Sequence, residues 1–378
     1  MGPLTGVKVI EMASLAPGPF AAMMLADLGA EVLRVDRPTP SDVALPVEIE
    51  AMNRNRGTIK IDMKSPKGLA ALKRLIGQAD ALIESFRPGV MERLGVGPEE
   101  CLKLNPKLVF GRVTGWGQEG PLAHAAGHDL NYIALTGALH EMGKKGEPPP
   151  IPLNLVGDYA GGGMMLAFGI VCALLEARAS GKGQVVDAAM IDGASLMITQ
   201  AYGLRGHKLW PEERGQTVLN GASHFYNVYE TADGKYVSIA SAERKFYEEM
   251  LRLTGVNENE LTGQLDQAGW PALHERFKTL FRTKTRAEWC ALMEGSDACF
   301  APVLSMAEAV AHPHNKARAA HVDVGGVMQP APAPRFSRTP AGAPTPGRAL
   351  TDDQDGALSR WGLNAVEIAS LRETGAVG

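Results

Sequence analysis

Two ionisable side chains, His128 and Asp158, each stand just ahead of a stretch with helical spacing. Gly127-His128-Asp129-Leu130-Asn131-Tyr132 opens a segment whose Leu130, Ile133, Ala134 and Gly137 share one face, which makes Asp129 the expected N-cap of a helix running to Leu139. Asp158 precedes Gly161-Gly162-Gly163 and then a long apolar run, Met164 to Leu175. Two helix beginnings, with free N–H groups and positive dipole ends, next to an imidazole and a carboxyl group are suited to holding an anion and moving a proton. On residue type alone, a hydrogen-bonding His and a capping Asp fit the same pattern.

The elements that must position these groups read as a parallel α/β sheet. Val7–Met12 is a short apolar strand suited to a sheet interior, and Pro17-Gly18-Pro19-Phe20 turns into a helix carrying Phe20, Met23, Met24 and Leu28, which Gly29 ends. Glu31–Asp36 is the next strand, so strand, helix and strand follow within about thirty residues, the repeat of such a sheet. Asp36 invites a dinucleotide reading, but the first turn, Ser14 to Pro19, lacks the glycine fingerprint and its prolines remove N–H donors. Residues 39–56 read as loop, Thr58–Lys64 as an alternating strand, Ser65-Pro66 as the cap of a helix burying Leu69, Leu72, Leu75 and Ile76, and Ala81–Glu84 and Leu108–Thr114 as strands. Arg37, Lys64, Arg87 and Arg93 then lie at or just beyond strand carboxyl ends, where open α/β sheets bind ligands. Four cations at equivalent positions point to a phosphate-rich ligand.

Beyond Gln184–Met190, another strand, residues 192–220 read as helix and a Gly-containing linker. A hairpin about Asp233-Gly234 opens a smaller domain, helical to about Met306, and the Pro- and Ala-rich stretch Gln329–Pro346 reads as extended. The composition excludes several classes. With 45% apolar and 21% charged residues the chain can bury a large core, and 42 acidic against 38 basic residues give a net charge of −4, which argues against nucleic acid. Four scattered cysteines form no metal or disulfide pattern. The N-terminus shows no signal peptide, and the charge-free run Ala160–Leu175 falls short of the roughly 20 residues of a membrane span, so a buried helix and a soluble protein without membrane insertion are expected.

Gly18-Pro19-Phe20, Asp27-Leu28-Gly29-Ala30-Glu31-Val32, Arg37-Pro38, Ser85-Phe86-Arg87-Pro88-Gly89, Gly115-Trp116-Gly117 and Pro334 to Pro340 resemble the class III CoA-transferases over nearly the whole chain. Gly127 to Tyr132 and Leu155-Val156-Gly157-Asp158 are similar to the α-methylacyl-CoA racemases within that family. The resemblance implies a large Rossmann-like α/β domain at 1–200, a linker at 201–220, a small α+β domain at 221–310, a segment at 311–378 returning to the large domain, and an interlocked homodimer. It implies a CoA site on Arg37, Ile61, Asp62, Met63, Lys64, Ser85, Phe86, Arg87, Arg93, Gly127, His128, Asp129, Leu130, Asn131 and Tyr132. No metal and no separate cofactor are implied, because coenzyme A is part of the substrate.

The aspartate at position 158 distinguishes two activities in the family. In the transferases it is a nucleophile; in the racemases it is an acid or base at the carbon beside the thioester. His128, the absence of a glycine run after Ala240, and Glu243, which the resemblance makes the partner of His128, imply the racemase, with acyl transfer through Asp158 as the alternative. The implied reaction is inversion of the α-carbon of a 2-methylacyl-CoA by two bases through an enolate, held by N–H groups near Asp129. Met164, Met165, Met190 and Met197 are candidates to line the acyl chain, or to fill the core. The ending Ala376-Val377-Gly378 lacks a peroxisomal address, and cytoplasm is the expected location.

Overall fold

The computed structural model describes residues 2–39, 45–350 and 354–377; residues 40–44 of the expected loop and the terminal Gly378 lie outside them. The chain forms two compact units. The first comprises Met1–Thr136, Pro152–Met197 and Ala319–Gly378, and the second Gly137–Ile151 and Ile198–Arg318. The expected boundaries change accordingly. The excursion Gly137–Ile151 and the supposed linker at 201–220 belong to the second unit, and the return begins at Ala319.

The first unit begins β1 (Lys8–Met12), α1 (Gly18–Asp27), β2 (Glu31–Asp36), β3 (Gly57–Lys60), α2 (Pro66–Ile76), β4 (Ala81–Glu84), α3 (Val90–Arg93), α4 (Pro98–Leu104), β5 (Val109–Arg112) and α5 (Asp129–Leu135). After α6 (Ala138–Glu141) of the second unit it continues with a π-helix (Leu155–Met164), α7 (Met165–Ser180), β6 (Gln184–Asp187) and α8 (Met190–Met197). The second unit then supplies α9 (Thr199–Gly206), β7 (Tyr226–Glu230), β8 (Tyr236–Ala240), α10 (Arg244–Thr254), α11 (Trp270–Phe281), α12 (Arg286–Met293), β9 (Phe300–Val303), α13 (Met306–Ala311) and α14 (Pro313–Ala317). The first unit closes with β10 (His321–Val324), β11 (Val327–Pro330), β12 (Arg348–Ala349), α15 (Gln354–Arg360) and α16 (Ala365–Glu373).

Seven strands of the first unit form a wholly parallel sheet in the order β12-β3-β2-β1-β4-β5-β6. Successive side chains of a strand point to opposite faces, and here both faces are covered. Ile10, Met12, Leu33 and Val35 pack with α2, α15 and α16, whereas Val9, Val32, Ala81 and Ile83 pack with α1 and α7. That is the expected α/β fold. In the second unit β7, β8 and β9 form an antiparallel sheet around Phe225, Tyr229, Tyr247, Trp270, Phe277, Phe281 and Trp289. The hairpin agrees with expectation; β9 lies where helix was expected, and the β10–β11 hairpin was not foreseen.

Other differences have local causes. Helix α1 buries Leu25 with the small residues Ala21, Ala22 and Ala26, and Phe20, Met23, Met24 and the capping Leu28 are partly exposed. The strand at Thr58 stops at Lys60, because Ile61 makes only a single bridge to Val377 and the Asp62 carboxylate accepts from Lys64 N–H at 3.0 Å, closing a turn. Residues 190–206 are two helices broken at Ile198.

The helix expected in the apolar run after Asp158 begins at Leu155, and its glycines are interior. A Cβ at Gly161 would meet Ala194 N and Met190 O at 2.8 and 2.9 Å, and one at Gly163 would meet Phe20 Cδ1 at 2.7 Å, so close packing on α8 and α1 requires them. The 26-residue helix Leu155–Ser180 is long and apolar enough to cross a bilayer. It packs on the sheet instead, with Leu166 and Ile170 against Gly111, where a Cβ would come within 3.0 Å of both. Its burial is one-sided, for Phe168 and Leu175 are 65% and 72% exposed.

Candidate active site

Because all seven strands are parallel, their carboxyl ends share one edge, and β1 pairs with both β2 and β4, which makes their junction a topological switch point. A cleft of about 1000 Å³ opens there, lined by the segments that follow β1, β2, β4 and β5. At its floor Ser14 Oγ donates to Ser85 Oγ at 3.1 Å, and a Cβ at Gly18 would come 2.2 Å from Ser85 Oγ.

Most of the expected binding residues line this cleft: Arg37, Met63, Lys64, Ser85, Phe86, Arg87, Gly127, His128, Asn131 and Tyr132. Arg37, Lys64 and Arg87 are exposed there, and Asp36 accepts Arg37 N–H at 2.8 Å and pairs with Arg34 Nη1 at 3.1 Å. Others are elsewhere. Ile61 is fully buried in the core, Asp62 closes its turn, and Leu130 is not a lining residue. The Arg93 guanidinium lies over Gly89 at the start of α3, 3.2 Å from where a Cβ would be.

His128, not Asp129, caps α5, and Asn131 Oδ1 accepts His128 N–H at 3.1 Å. The N–H groups of Asn131 and Tyr132 turn back to His128 O, at 2.8 and 3.2 Å. The helix stops at Leu135 because Gly137 takes a left-handed conformation, φ 80°. The Tyr132 ring fixes this corner. It lies where a Cβ on Gly115 would come within 2.0 Å and one on Gly127 within 2.7 Å of Cε1, its hydroxyl donates to Gly127 O, and Trp116 meets it edge-on at 4.8 Å. Both glycines are needed for that ring to reach its place.

Asp158 sits in the first turn of the π-helix rather than at its cap, which is Asn154. Asn154 Nδ2 donates to Asp158 Oδ2 at 3.1 Å, and Asp158 N–H donates to Asp129 Oδ2 at 2.6 Å. Burial raises the proton affinity of Asp158 above the usual carboxylate range; the Asn154 bond opposes this, the Asp129 charge adds to it and His128 draws it down. His128 and Asp158 therefore open into one cleft and interact, although 30 positions apart.

Glu243 belongs to the second unit, where it is exposed ahead of α10 and its carbonyl accepts from Phe246 and Tyr247 N–H, both at 3.0 Å. Of the four methionines only Met190 lines the cleft; Met164 and Met197 are about half exposed. Sequence reasoning missed the bridging by Asp129 and the floor residue Ser14. The position of Ser14, just past β1, was the available signal.

Residues 4–349 match the CoA-transferase family III. The chain is 42% identical to the alpha-methylacyl-CoA racemase of Mus musculus over 97% of its own length and 96% of that protein's. It is also 42% identical to the Homo sapiens alpha-methylacyl-CoA racemase, over 89% of this chain and 87% of that one. A CAIB/BAIF family protein from Brucella suis superposes with a TM-score of 0.81 at 26% identity, covering 95% of this chain and 99% of that one. On a match that spans the parallel sheet, the cleft and both segments bearing His128 and Asp158, the chain belongs to the CoA-transferase family III.

Proposed function

We propose that the chain inverts the α-carbon of 2-methylacyl-CoA thioesters by two-base proton transfer, as an alpha-methylacyl-CoA racemase. The observation that carries this reading is that His128 and Asp158 open into the same cleft, with burial holding the proton on Asp158 more firmly than on an ordinary carboxyl group. Identity of 42% to two racemases supports it independently.

Inversion removes the α-hydrogen from one face and returns a proton to the other. In one direction neutral His128 abstracts while protonated Asp158 donates; in the other, Asp158 abstracts and the imidazolium donates. Both starting states carry one proton between the pair, so both directions share one pH profile. Firmer protonation of Asp158 narrows the gap between the two states, by about 1.4 kcal/mol for each pKa unit. The intermediate enolate is held by N–H groups at the start of α5, where His128 and Asn131 line the cleft. Arg37, Lys64 and Arg87 hold the phosphates of the CoA moiety, with Arg93 available from α3. The assignment of Glu243 to this chemistry rests on the family resemblance alone. A cytoplasmic homodimer belongs to the same proposal, and the exposed Phe168 and Leu175 of α7 support the dimer.

Incubation with one enantiomer of a 2-methylacyl-CoA in D2O is expected to place deuterium at the α-carbon with no added carboxylic acid. H128A and D158A are each expected to abolish exchange while CoA affinity stays within about threefold. Absence of exchange, with CoA passed instead to a second acid, would refute the proposal in favour of acyl transfer.

A further inference from the structure

We propose that the Asp129 side chain is the positioning residue of this centre, a buried carboxylate that fastens the backbone of Asp158 to the residue following His128. The inference rests on the two-base reading above. Asp129 is 5% exposed and is not among the lining residues of the cleft, so its carboxylate is not where a CoA contact would be made. Its Oδ2 accepts the Asp158 N–H at 2.6 Å, joining segments 29 positions apart. Gly157 makes room for that bond: a Cβ there would lie 2.6 Å from Asp129 Oδ2 and 2.9 Å from Cγ. The other oxygen, Oδ1, is buried with no hydrogen-bond partner among the described residues. A buried carboxylate with an unsatisfied oxygen is a poor stabilising device, and an asparagine would accept the same N–H without burying a charge. The charge therefore has another use.

That use is at Asp158. Of the elements packed against the π-helix, α5 brings the titratable His128, Asp129 and Tyr132, whereas α1 brings Pro17 and Phe20 and α8 brings Met190. Asn154, on the same segment as Asp158, donates to the carboxylate and His128 draws its proton affinity down, so Asp129 is the neighbour whose charge opposes loss of the Asp158 proton. One carboxylate thus fixes the location of its neighbour and adds to the hold that burial has on its proton.

Two variants separate these effects: D129A removes acceptor and charge, and D129N keeps an acceptor but removes the charge. Hydrogen exchange of the full-length protein, followed at the peptide containing Asp158, is expected to speed up about tenfold or more in D129A and to stay within about threefold of the parent in D129N. Turnover of a 2-methylacyl-CoA in D129A is expected to fall about 100-fold in kcat with KM within about threefold, as misplacement of a catalytic group does. D129N is expected to recover kcat to within about tenfold and to move the acidic limb of the pH profile to lower pH. Unchanged exchange and kcat in D129A would overturn the proposal, as would D129N behaving like D129A, or a loss expressed in KM. The exchange measurement needs no turnover. If the parent fails to invert any acyl-CoA, the functional reading falls while this measurement still decides the clamp.

Discussion

Replacing Gly115 by alanine tests how the His128 corner is held. The added Cβ would stand 2.0 Å from Tyr132 Cε1 and 2.1 Å from Cζ, where carbon atoms rest at about 3.5–4.0 Å, so the ring must retreat by roughly 1.5 Å. Tyr132 is 7% exposed and is flanked by Gly127 and Trp116, which leave it little room. Overpacking at such a site costs about 1–3 kcal/mol, and loss of the hydroxyl bond to Gly127 O adds about 1 kcal/mol. Urea unfolding of G115A should therefore show a loss of about 2–4 kcal/mol. Because Gly127 leads into His128, α-proton exchange in D2O should drop about 100-fold as well. The decisive arm is a double-mutant cycle. In a Y132A background the obstructing ring is gone, and G115A should then cost no more than about 0.5 kcal/mol. Full stability and activity in G115A, or an undiminished penalty in the Y132A background, would refute the account of this corner.

Further expectations follow from charges. Glu11 and Arg56 form an ion pair at which both side chains are wholly buried, so E11A should destabilise the fold by about 3–5 kcal/mol in urea titration, and an apolar pair such as E11L/R56M should recover much of it. R37A and K64A remove exposed cations of the cleft; each should raise KM about tenfold and weaken the salt dependence of binding, with kcat within about threefold. At Glu84, fully buried at the end of β4, burial outweighs the 3.0 Å pairing with Arg112 and lifts the carboxyl from 4.5 to about 7. The folded chain then keeps a proton that the unfolded chain has already released, so this contribution is complete below about pH 4.5 and is lost as pH rises to about 7, at most about 3 kcal/mol in all. E84Q should flatten that part of the stability–pH curve, and an unaltered slope would contradict the assignment.

The parallel sheet was legible because its strands are short apolar runs separated by helical spacing, and that spacing alone places Arg37, Lys64 and Arg87 on one edge. What stayed hidden depends on contacts distant in sequence. Glycine disfavours helix, yet packing on α8 and α1 keeps residues 161–163 inside one that begins as early as Leu155. Asn53-Arg54-Asn55-Arg56 read as loop, but Arg54 binds Asp27 and Arg56 binds Glu11 in the interior. The partner of Asp129 lies 29 positions away, and no local pattern could mark it.

The outer rim of the large sheet is assembled from the far end of the polypeptide. Arg348 and Ala349 lie beside Gly57 and Thr58, and Val377 reaches Ile61, so β3 stays uncovered until nearly the entire chain has been synthesised. Closing so long a loop is slow, and an uncovered strand is a template for pairing with other molecules. A chain cut short before Arg348 would keep every group proposed for the chemistry and still present a bare, adhesive border, failing through aggregation rather than through a damaged catalytic centre.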